Sequence, residues 1–120
     1  ALVSENKILA SPAVVDSIPT SGNQEDHVSM GTIAARKARQ IGVNAANVLS
    51  IELMCATQGI DFLAPLQPGA GVRAAHEAVR AQVPRLDHDR VLAPDIARIR
   101  ELVQGGDLLQ AVEQAMGQLE

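Results

Sequence analysis

The sequence predicts an all-α fold, with one long central helix followed by shorter C-terminal helices. Three observations predict it. No segment shows the every-second-residue alternation of a half-buried strand. Residues 25–60 contain no proline, and apolar side chains recur at Val28, Ile33, Ala34, Ala38, Ile41, Ala45, Val48, Leu49, Ile51 and Leu53, close to the helical period. Phe62 is the single aromatic residue, so burial rests on Leu, Ile, Val, Met and the abundant Ala, the strongest helix former.

Taken in order, residues 1–9 read as the tail of a helix. Residues 10–22 hold Pro12, Pro19 and Gly22 among serines and read as a loop. The run over 25–60 would be roughly 50 Å long at ~1.5 Å per residue, longer than a globule of this chain length would need. Within residues 40–60 the only charge is Glu52. A helix so uniformly apolar is expected to be buried on most faces, against other helices outside this sequence or from other subunits. It is not a membrane span, because Gln40, Asn44, Asn47, Glu52 and Gln58 interrupt it.

"LAPLQPGAG" reads as a loop. A helix over 72–83 follows, with Val72, Ala75 and Val79 on one face, and stops at Pro84. Pro94 and Asp95 suit the first turn of the next helix, whose apolar face is Ile96, Ile99 and Val103 and which Gly105 and Gly106 end. Asp107 is placed to cap a last helix with Leu108, Leu109, Val112, Met116 and Leu119 on its inner face.

The net charge of −4 and the absence of a clustered basic face argue against a nucleic-acid partner. Cys55 has no second cysteine to pair with and fits a reducing compartment; as part of the apolar helix it reads as an inert core thiol. Residues 1–9 lack the apolar stretch of a signal peptide. The chain starts without Met and reads like a piece of something longer. His27, His76 and His88 are too scattered to form a metal set by spacing, and His88 between Asp87 and Asp89 reads as a solvated loop. Met30, Met54 and Met116 read as core filler. Arg36, Lys37 and Arg39 are either a solvated patch or an intersubunit ion-pair set.

"TSGNQEDHVSMG", residues 20–31, is the stretch that carries chemistry. Ser21 and Gln24 have capping-box spacing, Asn23 can also cap, and Glu25 and Asp26 would suit the positive end of a helix dipole. Yet one cap needs one or two polar groups. Gln24, Glu25, Asp26 and His27 point about 100° apart on a helix, so some would face inward. A carboxylate there could hold an N–H-bearing ligand or take a proton.

The run "VSENKILASPAVVDSIPTSGNQEDHVSMGTIAARKA" closely resembles the C-terminal part of histidine ammonia-lyases, within the aromatic amino acid lyase family. The likeness continues more loosely through "VLSIELMCATQGIDF" and "LDHDRVLAPDI", and "DSIPTSGNQEDHVSMG" is its most specific part. The resemblance implies a helical-bundle homotetramer in the cytoplasm that converts L-histidine to trans-urocanate and ammonia. It implies an electrophile, a methylidene-imidazolone, made from an internal Ala-Ser-Gly, with no metal. By the resemblance, residues 1–24 are a helix end and active-site loop, 25–60 the long bundle helix, and 61–120 the C-terminal helices.

Glu25 matches a residue that lies near the substrate's imidazole in such enzymes, and Gln24 stands beside it. Phenylalanine and tyrosine lyases usually carry an amide where Glu25 stands. An imidazole offers N–H donors that a phenyl ring lacks, so Glu25 argues for histidine and is expected to hydrogen-bond or deprotonate the substrate. Gln24 and Glu25 are thus the expected substrate-binding residues, and Glu25 the catalytic one.

No Ala-Ser-Gly occurs in the sequence, and "TSG" at residues 20–22 lies in the loop instead. No tyrosine is present to bind substrate. Gly22 stands where alanine is common and Ser11 where histidine is common. The chain alone is therefore expected to be inactive, its partners being the rest of a lyase polypeptide and further copies of it. The alternatives are a tyrosine or phenylalanine lyase or aminomutase of the same family, and a non-catalytic helical oligomerisation module.

Overall fold

A computed structural model of the chain describes residues 1–24 and 28–118. The described residues contain five α-helices and no strand: α1 (Leu2–Leu9), α2 (Gly31–Phe62), α3 (Ala70–Gln82), α4 (Ala93–Gly105) and α5 (Asp107–Met116). They fall into two compact units, Ala1–Ala45 and Ala46–Glu120, and α2 contributes to both.

In the first unit, α1 ends at Ala10, whose N–H donates to the Asn6 carbonyl. Pro12 follows and disfavours helical backbone just before it. The helix expected over 25–60 runs over Gly31–Phe62. Residues 28–30 are not helical. The Gly31 N–H donates to Ser29 Oγ at 3.3 Å, and the Met30 carbonyl accepts the first helical bond, from Ala34 N–H at 2.9 Å. The expected capping box of Ser21 and Gln24 does not form: both lie well before Gly31, in a separate turn that has no side-chain cap.

In the second unit, α2 gives way at Phe62 to a loop held by Leu63 N–H to the Ile60 carbonyl and Leu66 N–H to the Leu63 carbonyl. α3 stops before Pro84, with Val83 in extended backbone as a residue preceding proline prefers. α4 opens with Pro94 and Asp95 in its first turn, as expected. Gly106, at φ +85°, both ends α4 and precedes α5, a left-handed conformation that costs glycine nothing. Asp107, expected to cap α5, is instead its first residue and makes no cap bond; its carboxylate still suits the helix dipole there.

The core of this unit is Val79, Val83, Ile99 and Leu102, with Leu53, Met54, Ala78, Val103 and Leu108 packed around it. Leu102 belongs to the α4 face that the sequence pattern assigned to Ile96, Ile99 and Val103. Gly71 admits α5 closely, since a Cβ there would lie 2.3 Å from Met116 Sδ. Val72, Leu109 and Met116, expected to face inward, are exposed. Ser50 and Thr57 are buried but return their hydroxyl hydrogens to the carbonyls of Ala46 and Leu53, each at 2.7 Å. Cys55, expected in a core, is exposed, on the wall of an open groove that Val83, Pro84 and Leu86 also line.

Candidate functional site

Residues 20–24 and 28–30, described parts of the stretch singled out by sequence, lie between α1 and α2. Ser21, Gly22 and Asn23 all take left-handed backbone, at φ +46°, +64° and +67°. This closes a tight turn in which Asn23 N–H donates to the Thr20 carbonyl at 3.0 Å and Gln24 N–H to the Ser21 carbonyl at 3.3 Å. Asparagine enters this region readily, but serine does so at a cost of roughly 1–2 kcal/mol. Such strain is kept where the surrounding structure demands it, which is commonly at ligand sites.

Gln24 ends the turn, returns to right-handed backbone and is exposed, so its amide is free of burial. Glu25, the expected catalytic residue, lies outside the described residues with Asp26 and His27. Lys37, from the first turns of α2, donates its ammonium to the Ser11 carbonyl and ties the start of the loop to that helix. A groove of about 680 Å³ beside it is lined by Leu9, Ile33, Arg36, Lys37, Arg39, Gln40 and Val43. Among the described residues that line it, Arg36, Lys37 and Arg39 are cations.

A second polar constellation, in the other unit, was not foreseen from sequence. Asp61 near the end of α2 accepts from Arg80 Nε at 3.0 Å and Nη2 at 2.6 Å, and its other oxygen lies 2.7 Å from His76 Nε2. Burial pushes the Asp61 carboxyl up, but the hydrogen bonds and charges of Arg80 and His76 outweigh it and hold the group below its ordinary value of 3.8. Gln58 adds to the cluster: its carbonyl oxygen accepts from Arg80 Nη2 at 3.2 Å and from the Leu86 N–H at 3.0 Å. Arg80 Nη1 donates to the Val83 carbonyl at 3.0 Å, and the set braces α2, α3 and residues 83–86 together. No residue spacing announces it, because its bonded pairs, Arg80 with Val83 aside, lie 15 to 28 positions apart.

His88, Asp87 and Asp89 are exposed. Among the described residues no three His, Cys, Asp or Glu side chains gather as a metal set would require. No helix of the described residues is long and apolar enough to cross a membrane.

Comparison with known proteins bears on the loop. The family model for aromatic amino acid lyases matches residues 1–81. Histidine ammonia-lyase of Symbiobacterium thermophilum is 59% identical over 119 residues, covering 99% of this chain and 24% of that protein. A crystal structure of histidine ammonia-lyase from Trypanosoma cruzi superposes with a TM-score of 0.88 at 42% identity, covering 95% of this chain and 23% of that one. Tyrosine aminomutase from Streptomyces globisporus superposes with a TM-score of 0.87 at 34% identity, covering 98% and 22%. The chain thus spans about a quarter of the length of the relatives it matches.

Proposed function

The chain belongs to the aromatic amino acid lyase family, and from that premise we propose that it is the C-terminal part of a histidine ammonia-lyase, which eliminates ammonia from L-histidine to give trans-urocanate. The observation that carries the reading is the run "DSIPTSGNQEDHVSMG", with a carboxylate at Glu25. The 59% identity to a histidine ammonia-lyase supports it.

In this reading the strained turn presents Gln24 and Glu25 to a substrate cleft. Glu25 accepts the N–H of the substrate's imidazole, or takes its proton, during elimination. Gln24 contributes an amide beside it. The methylidene-imidazolone electrophile supplies the electron sink of such enzymes. Ala-Ser-Gly is absent from this sequence, so the electrophile belongs to the rest of the polypeptide, and the 120-residue chain alone is inactive. The intact enzyme is a cytoplasmic homotetramer in which α2 enters a central helical bundle.

A second reading, a tyrosine-acting aminomutase or lyase, is favoured only by the fold match to tyrosine aminomutase. The test uses the intact polypeptide and ultraviolet absorbance of the products. Urocanate from histidine, lost on Glu25→Gln, is the expected result. Coumarate from tyrosine or cinnamate from phenylalanine, with none from histidine, overturns the substrate. Undiminished histidine turnover in Glu25→Gln removes that residue from the mechanism.

A further inference from the structure

Among the described residues of Ala1–Ala45, Asn44 alone is buried, at 3% exposure. A primary amide is costly to bury unless its donors and acceptor are used. Asn44 Nδ2 donates to Glu5 Oε2 at 3.1 Å and to Asn6 Oδ1 at 3.0 Å, and Asn44 Oδ1 accepts from Gln40 Nε2 at 3.1 Å. α1 buries no residue of its own. Leu2 and Leu9 are only partly covered, so this polar joint around the buried Asn44 is a main tie between α1 and the first half of α2. Lys37, holding the Ser11 carbonyl, is a second pin where the chain leaves α1. Beyond the pins, the described hydrogen bonds of residues 12–24 are local: Ser17 N–H to Asp16 Oδ1 and the two bonds of the left-handed turn.

We propose that Asn44 is a positioning residue for the loop of residues 10–24: by seating α1 on α2 through Glu5 and Asn6, it sets where the turn and Gln24 are presented. The inference rests on the reading that this loop meets substrate. Asn44 itself touches no reacting atom. Its replacement by leucine keeps the volume but offers Glu5 and Asn6 no N–H, so both turn to water and α1 shifts. Displacement of a site by about 1 Å can cost on the order of a hundredfold in rate.

The test is a double-mutant cycle of Asn44→Leu with Glu25→Gln in the intact polypeptide, read as kcat/KM for histidine. Asn44→Leu is expected to lower kcat/KM about tenfold in the native background and by less than about threefold in Glu25→Gln, since coupled residues lose additivity. Equal losses in the two backgrounds, or no loss at all, overturn the positioning role. Lys37→Met, at the other pin, carries the same expectation with Lys37→Arg restoring activity, and it decides the matter if Asn44→Leu does not assemble. Unchanged kcat/KM in Glu25→Gln alone overturns the functional reading instead, which separates the two failures.

Discussion

Asp61 Oδ2 lies 2.6 Å from Arg80 Nη2 across the α2–α3 connection, with both side chains largely shielded from water at 13% and 17% exposure. An ion pair so placed keeps much of its strength, and removing one partner leaves the other short of a counter-charge. Asp61→Asn is expected to lower unfolding stability by about 1–3 kcal/mol. Urea denaturation of the chain at neutral pH measures it, and an unchanged midpoint would show the brace to be idle.

The same carboxyl sets a pH dependence. Its value in the folded protein is depressed below 3.8, so the native state favours the ionised form. The contribution is present in full above that ordinary value and is lost as pH falls from it through the lower folded value. Urea midpoints measured downward from pH 6 should therefore fall more steeply in the native chain than in Asp61→Asn. Parallel curves would contradict the assignment.

Ile99 is wholly buried at the centre of the second unit's core. Ile99→Ala removes methyl groups that the neighbours cannot replace and is expected to cost about 2–5 kcal/mol. Leu109, 53% exposed on α5, is the control: Leu109→Ala should stay within about 0.5 kcal/mol. Thermal unfolding of the two variants compares them directly.

Gly106 holds the junction of α4 and α5 at φ +85° with open space around it. The cost of a side chain there is conformational and not steric. Gly106→Ala is expected to destabilise by about 1–2 kcal/mol, and Gly106→Asn by less, because asparagine tolerates left-handed backbone. Equal midpoints for the alanine and asparagine variants would argue against that cause.

Much of the helical order was legible because its signals are local. Pro84 stops α3, Pro94 opens α4 and Gly106 ends it, each through its own backbone restriction. The family was legible from one run, "DSIPTSGNQEDHVSMG". What escaped depends on partners distant in the chain. Asp61, His76, Arg80 and Gln58 meet only after α2 and α3 have folded against each other. Ser21 and Gln24 have capping-box spacing, but three successive left-handed residues put them in a turn apart from the helix. Cys55 and Leu109 sit at positions whose pattern matched buried ones, yet both are exposed.

The exposed thiol of Cys55 is the sole sulfhydryl in the sequence. A maleimide dye would therefore attach at one known place on the flank of α2. In the 120-residue chain the label should couple within minutes; if assembly into a larger lyase, as proposed above, covers that flank, coupling should slow sharply. Labelling speed then becomes a gauge of assembly that needs no substrate.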